Sequence, residues 1–576
     1  MGNNRENDLY TAADALTDAL VNAGVSYIFV NLGTDYPPII ESWAKYEQHG
    51  RPKPEIIICP HEMVALSAAQ GYAQATGKGQ AVFVHVDVGT QNLGGSVHNV
   101  YRCRVPALIF AGVSPFTLEG ELRGTRNAFI QFLQNVHDQA AIVREYTKWY
   151  YEVRTGKNIQ QIVYRGLQIA HSAPQGPVYL MAARETLEEE GRDIGAAPGR
   201  WAAIAPQGLP DEGAEQIVDA LLSAENPVII TSYSGRNREC VAGLVNLSER
   251  LAIPVVEVGA TYLNFPADHP LHAGHDPQHY LQTADVILVL DSDLPWIPAL
   301  AGPHAGAKIF YVDVDPLKEG TPLWYIPADA FFKADSLTAL RQINSRLNTA
   351  KLPHPALLNR RRAAVAVAHE MLLAAREEAE QPGEEMTPEF VASTLRRVLG
   401  DDDIVLDETT SYHPVIEKHL PRNKPGTYFM SGGSALGWFG GAAIGVKLAC
   451  PKQNVVALCG DGTYIFSVPT ATYWVAAKYK TPFLTVIFNN QGWGAAKLAV
   501  VREHPDGYAA RNDTFWTAMQ PMAPLEKIAE AAGGAFARAV SNPAELESAL
   551  LEGMAAVRNG RCAVINVILP PVSRQE

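Results

Sequence analysis

Two short stretches in the last third of the chain carry residue types suited to holding a metal ion against a phosphate group. Gly460-Asp461-Gly462 closes the apolar run VVALC, and Asn489-Asn490 closes the apolar run Phe483 to Phe488, so that Thr463 to Phe488 separates the two motifs. Each apolar run reads as a strand buried on both faces, and the segment between them reads as helix. Ligands of a parallel sheet gather at the carboxyl ends of its strands. A carboxylate at one strand end and a carboxamide at the next are hard oxygen donors, which suit Mg2+ bound to a diphosphate. The glycines permit a tight turn, and Gly460, Gly462 and Thr463 offer N–H or hydroxyl donors to phosphate oxygens. Singly, GDG is usually only a turn and Asn-Asn is common in loops; the joint spacing carries the argument.

The joint pattern, GDG and NN at this separation and each at the end of an apolar strand, resembles the thiamine-diphosphate fingerprint of the 2-oxo acid decarboxylase and acetolactate synthase superfamily. The resemblance implies that Asp461, the side chain of Asn490 and the main-chain carbonyl of Gly492 hold Mg2+, which clamps the diphosphate of thiamine diphosphate. It extends over nearly the whole chain. Cys59-Pro-His-Glu62-Met-Val-Ala-Leu, followed by GYAQATGK, resembles the segment bearing the family's catalytic glutamate. A glutamate at a helix start is more often a dipole partner; here the partner motif at 460–490 implies that Glu62 hydrogen-bonds the cofactor's N1′. Leu436, in GGSALG, precedes Asp461 at the spacing where the family has a bulky apolar wedge under the cofactor. The same resemblance sets Thr409, Thr410 and the Ser431-Gly432-Gly433 loop along the diphosphate and pyrimidine.

His85, near the end of AVFVHV, aligns with an active-site histidine of benzoylformate decarboxylase-like enzymes, which acetolactate synthases generally lack. Thr34, in NLGTDYPP, occupies the loop where those decarboxylases have a substrate-contacting serine. Gln134 and His137-Asp138 fall where acetolactate synthases carry substrate-side residues. NNQGWGAAK resembles benzaldehyde lyase, which implies that Trp493 forms an aromatic wall and Lys497 can anchor a carboxylate. The family's glycine-rich FAD stretch is not seen where TSYSGRN stands, so FAD is not expected.

These residues need elements to position them. At 576 residues the chain is too long for one core. Three α/β domains with doubly wound parallel sheets are expected: 1–186 (pyrimidine-binding), 207–345 (central) and 387–576 (diphosphate-binding). A charged, then Gly/Ala/Pro-rich stretch at 187–206 and a helical, irregular stretch at 346–386 connect them. AVFVHVDVGT (81–90) and VVALCGDGT (455–463) echo one another as a buried strand turning at Gly-Thr, which suggests that the first and third blocks share a topology.

Apolar residues make up 47% and charged residues 19%, an ordinary globular composition. The net charge of −14 disfavours nucleic-acid and anionic-membrane surfaces. Six scattered cysteines without a CxxC read as reduced thiols, and MGNNRENDLY shows neither a signal pattern nor the Ser/Thr of a myristoylation motif, so a cytoplasmic enzyme is expected. The reading is a thiamine-diphosphate- and Mg2+-dependent enzyme that cleaves a C–C bond next to a carbonyl, decarboxylating a small 2-oxo acid. The family implies a homodimer or homotetramer with the active site at the subunit interface. Open beside it stand a carboligase or lyase of the benzaldehyde lyase, acetolactate synthase or 2-hydroxyacyl-CoA lyase type, and a catalytically silent binding homologue.

Overall fold

The computed structural model describes residues 9–195 and 198–572; residues 1–8, on which the signal and acylation readings fall, lie outside them. Three parallel sheets follow one another along the chain. The first contains β1 (Tyr27–Val30), β2 (Glu55–Ile58), β3 (Gln80–Val84), β4 (Ala107–Val113), β5 (Trp149–Glu152) and β6 (Pro177–Ala183). The central sheet contains β7 (Pro227–Thr231), β8 (Val255–Glu257), β9 (Val286–Leu290), β10 (Lys308–Asp313) and β11 (Ala330–Lys333). The third contains β12 (Ile404–Glu408), β13 (Tyr428–Met430), β14 (Val455–Gly460), β15 (Leu484–Asn489), β16 (Phe536–Val540) and β17 (Ala563–Ile568). Apolar runs such as VIIT, VILVL and LTVIF have both faces buried under helices, as parallel strands require.

The first sheet runs β2-β1-β3-β4-β6-β5 and the third β13-β12-β14-β15-β17-β16. Counted within each sheet, the two orders are the same, and the echoing strands β3 and β14 hold the same position. The short repeat in the sequence is therefore the visible trace of a duplicated topology. The central sheet runs β11-β10-β9-β7-β8, with its switch point between β7 and β9. That crevice, where open α/β sheets take nucleotides, is packed with the chain's own groups. Ser232 and Tyr233 N–H donate to the Asp291 carbonyl, and Lys318 Nζ bonds Asp313 at 2.6 Å. Arg104, from the first block, lies over the Tyr233 ring and pairs with Asp293.

The first and third blocks join through two helices, Glu62–Thr76 and Trp438–Ala449, which share one core with both six-stranded sheets. The first helix is capped by His61 Nδ1, which accepts from Met63 N–H at 3.2 Å, and stops at Gly77 in the left-handed region. The pair crosses backbone against backbone. A Cβ at Gly445 would overlap the Ala68 carbonyl, and one at Gly441 would stand 2.6 Å from the Val64 carbonyl. Gly445→Ala is therefore expected to cost about 1–3 kcal/mol, the usual penalty of overpacking, read as a lowered thermal midpoint of the whole chain; an unchanged midpoint would show that the helices can part at no cost.

Three expectations shift. The strand expected at 81–86 ends at Val84, so His85 is the residue between β3 and the helix Val86–Asn92. The helix expected after GDG is two, Asp461–Phe466 and Pro469–Lys478, separated at Ser467-Val468. The edge strands β5, β11, β13 and β16 carry no long apolar run and were not foreseen. No helix among the described residues is long and apolar enough to cross a membrane, and all six cysteines are unpaired.

Candidate active site

β14 and β15 are hydrogen-bonded neighbours in parallel register, Gly460 opposite Phe488. That register is why two motifs separated by a whole helical crossover meet at one sheet edge. A cavity of about 250 Å3 opens there. Its walls hold Thr409, Thr410, Leu436, Gly460, Asp461, Gly462, Thr463, Asn490, Gly492 and Trp493, all of them expected to bind the cofactor from the sequence. Asp461 is buried, and its carboxylate accepts from Gly462 N–H at 2.6 Å and Gly492 N–H at 3.1 Å. Burial raises the Asp461 carboxyl above its ordinary range, and these N–H groups offset only part of that. Asn490 donates through Nδ2 to the Tyr412 hydroxyl at 3.0 Å, which leaves its amide oxygen on the Asp461 side, where it accepts from Gly492 N–H at 3.3 Å. The Gly492 carbonyl accepts from Gly494 N–H at 3.1 Å and keeps a second lone pair.

The donor chemistry fits Mg2+ with a diphosphate. Among the described residues no lysine or arginine lines the cavity, and Lys497 is spent on Asp513 and the Val572 carbonyl, at 2.7 and 2.6 Å. A diphosphate entering beside a buried carboxylate would thus set like charges together with no side-chain cation to offset them. A hard divalent ion with oxygen ligands removes that conflict. No cluster of three His, Cys, Asp or Glu side chains able to hold a metal occurs among the described residues, so the phosphate oxygens would have to complete its shell.

The turns bearing these groups are strained. Thr410 and Gln491 sit at positive φ, 54° and 60°, a conformation costing on the order of 1–3 kcal/mol. Asp407, which sequence reasoning passed over, holds the first turn. It accepts from Thr409 N–H and Oγ1 at 2.9 and 2.8 Å, from the Tyr428 hydroxyl at 3.0 Å and from His413 Nδ1 at 2.8 Å. Burial would lower His413, but Asp407 and Glu417 outweigh it and hold the imidazolium up to about 10. Glu408 accepts from Trp438 and Phe439 N–H at 3.2 and 2.8 Å, capping the helix behind Leu436, and burial pushes its carboxyl up to about 8 despite those donors.

Two expected contacts lie elsewhere. Gly433 does not line the cavity; it faces the first block, its carbonyl bonded to His98 Nε2 at 2.9 Å and a Cβ there standing 2.5 Å from Asn99 Oδ1. The glycine pair that reads as a phosphate loop is instead where two domains approach closely. Glu62 is buried at the start of its helix, where Oε2 accepts from Asn92 Nδ2 at 3.1 Å and Oε1 faces Gly89. It belongs to a second cluster at the carboxyl edge of the first sheet.

That cluster also holds His85, bonded through Nδ1 to Asp35 at 2.5 Å and through Nε2 to Gln134 at 2.8 Å. Of the three candidates on the 134–138 segment, Gln134 alone reaches it. Asp138 pairs with Arg144, and His137 is exposed. Thr34 is exposed too, its carbonyl accepting from Arg184 at 3.2 Å; the next residue, Asp35, makes the contact with His85. Asp35 was missed because nothing local to TDYPP marks it. Burial lowers His85, but the hydrogen bond and charge of Asp35, together with Gln134 and Asp87, raise it above its ordinary value overall. Among the described residues none of the cavity's lining comes from the first block, so within one chain the two clusters stand as separate half-sites.

Comparison with known proteins agrees with this geometry. The chain matches the family descriptions "Thiamine pyrophosphate enzyme, N-terminal TPP binding domain" over residues 10–142, "central domain" over 214–343 and "C-terminal TPP binding domain" over 408–567. It is 25% identical to benzoylformate decarboxylase of Pseudomonas aeruginosa, covering 86% of this chain and 89% of that one. It is 24% identical to the acetolactate synthase isozyme 3 large subunit of Escherichia coli, covering 97% and 95%. In fold it is similar to a 4-hydroxybenzoylformate decarboxylase from Rhodococcus jostii, with a TM-score of 0.78 at 21% identity over 97% of this chain and 99% of that one. The two half-sites and the three consecutive domain matches lead to one conclusion: the chain belongs to the thiamine-diphosphate-dependent 2-oxo acid decarboxylase and acetolactate synthase superfamily.

Proposed function

We propose that the chain is a Mg2+- and thiamine-diphosphate-dependent decarboxylase of a 2-oxo acid, assembled from at least two copies so that the first domain of one closes over the third domain of the other. The observation that carries this reading is the division of labour between the half-sites. One offers oxygen donors without a cation, and the other pairs a buried carboxyl, Glu62, with an imidazole held between a carboxylate and an amide. Neither is a complete site alone. Exposed apolar side chains beside Gln134, among them Phe129 (79% exposed), Phe132 (53%) and Leu133 (64%), support burial by a second copy.

Thiamine diphosphate, when bound, supplies the sink for the electrons of the breaking C–C bond. Asp461, Asn490 and the Gly492 carbonyl would hold Mg2+, with Gly460, Gly462 and Thr463 donating to the diphosphate. Leu436 and Trp493 would wall the bound cofactor within the cavity, and Glu62 would offer its buried carboxyl to the pyrimidine from the other half-site. His85 delivers a proton from Nε2 to the carbon that CO2 leaves. The imidazole of His85, held between Asp35 and Gln134, supports this over the acetolactate synthase reading, because an aldehyde product requires a proton at the carbon CO2 leaves.

Purified full-length chain given thiamine diphosphate, Mg2+ and a panel including pyruvate, benzoylformate and 4-hydroxybenzoylformate is expected to release CO2 from at least one acid, and only with both cofactors present. Cofactor binding without CO2 from any member would overturn the decarboxylase reading and leave the carboligase.

A further inference from the structure

We propose that Asp35 is the positioning residue of the first half-site, fixing the ring of His85 by its Nδ1 so that Nε2 is the one nitrogen that gives and regains a proton. The inference deepens the decarboxylase reading and rests on it for the reaction, but the pairing itself is independent of cofactor or substrate.

The geometry is built, not incidental. β1 and β3 are neighbours in register, Val30 opposite Phe83, so the loop after β1 and the turn after β3 leave the sheet side by side. Asp35 is 3% exposed, with one oxygen 2.5 Å from His85 Nδ1 and the other accepting from Val86 N–H at 3.3 Å. Val86 holds φ at 32°, a strained value for a β-branched residue, and this strain aims its N–H at the carboxylate. Tyr36 pins the loop from below, its hydroxyl shared between the Val84 carbonyl at 2.8 Å and the Phe110 carbonyl at 3.0 Å. Two glycines make the space. A Cβ at Gly33 would overlap the imidazole, and a Cβ at Gly112 would overlap the Asp35 carboxylate.

Asp35 Oδ1 lies against Nδ1 on one side of the ring and Gln134 Oε1 against Nε2 on the other, two oxygens whose placement favours a protonated ring. Gln134 is held in turn by Ser114 Oγ, which donates to its main-chain carbonyl. The charged groups acting on the ring are Asp35 from the β1 loop and Asp87 on the helix that follows His85; Glu62 abuts Gly89 farther along that same helix. Arg184 is directed away, onto Thr34, Gly124, Thr125 and Asn127. Negative charge therefore dominates, and the ring holds its proton more tightly than an ordinary histidine.

Decarboxylation of a 2-oxo acid anion to an aldehyde and CO2 consumes one proton. In the proposed step the Nε2–H bond breaks and a C–H bond forms at the carbon CO2 has left. The neutral ring keeps Nδ1–H on Asp35, and Nε2 is reprotonated from water. An unpaired imidazole could reprotonate as either tautomer; the Asp35 contact allows one.

The test is a titration of the full-length chain carrying 13C only at histidine Cε1, with the His85 signal assigned by its loss in His85→Gln. In the wild type the ring is expected to lose its proton above the ordinary histidine range of about 6.5. In Asp35→Asn, which keeps shape but not charge, the midpoint should fall by about one to three units. The pH at which kcat for aldehyde release declines should fall with it, KM changing less. An ordinary midpoint in the wild type overturns the proposal even if Asp35→Asn fails to fold. So does a midpoint unmoved by Asp35→Asn, or a kcat profile that stays put while the ring shifts. Absence of CO2 from every acid in the panel would instead overturn the decarboxylase reading, with the ring titration still deciding the pairing.

Discussion

Asp461→Ala is expected to abolish thiamine diphosphate binding, measured by calorimetry on the folded chain at millimolar Mg2+. Two effects oppose each other in this substitution. Removing a buried anion leaves the N–H groups of Gly462 and Gly492 free to donate straight to phosphate, and each such hydrogen bond is worth about 0.5–1.5 kcal/mol net, up to about 3 to a charged acceptor. Against that, the cavity loses the one charged side chain among its described lining residues that can bring in a divalent ion, and no lysine or arginine among them replaces it. A diphosphate then enters a buried pocket with nothing to balance its charge, and desolvating an unpaired ion costs several kcal/mol. The second effect is the larger, so binding should vanish rather than weaken. Asp461→Asn, which keeps the shape and one oxygen donor, should retain part of the affinity at raised Mg2+. Undiminished binding in Asp461→Ala would remove Asp461 from the metal site.

Why the third-block cavity was legible in the sequence and the first half-site only partly so is a matter of registry. GDG and NN end strands that are neighbours in the sheet, and an apolar run buried on both faces is a strong local signal, so their spacing translated directly into a shared edge. Glu62 and His85 were found through the segments around them. Asp35 was not, because its role depends on β1 and β3 lying side by side, which no local pattern around TDYPP encodes; the preceding Thr34 drew the attention instead. Gly433 stands outside the cavity for a different reason: a glycine permits close approach to any neighbour, and within one chain that neighbour is Asn99. The edge strands β5 and β11 alternate between half-exposed and exposed, so they lack the continuous apolar signal that marked the central strands.

His85→Ala is expected to slow aldehyde release by roughly 10²–10⁴-fold, the range general acid catalysis supplies, and to change what is made. With the imidazole gone, the carbon that CO2 leaves has no placed proton donor. It persists long enough to meet an acceptor aldehyde, so the ratio of 2-hydroxy ketone to free aldehyde should rise. The pH dependence supplies a second signature. His85 is raised above its ordinary value by Asp35, Gln134 and Asp87 against the opposing pull of burial, so the protonated ring is fully populated below the ordinary histidine range and persists above it. It is lost only as pH rises through the raised value. Wild-type aldehyde release should therefore fall on the alkaline side, while His85→Ala, slow throughout, should show no such limb. The same titration bears on stability: a group protonated more readily folded than unfolded stabilises the fold at low pH, and that contribution fades as pH climbs through the folded value. The measurement is product partitioning and kcat against pH for both proteins on the best acid of the panel. Unchanged rate and unchanged partitioning would make His85 a structural histidine, and the decarboxylase reading would lose the proton donor that distinguishes it from a carboligase.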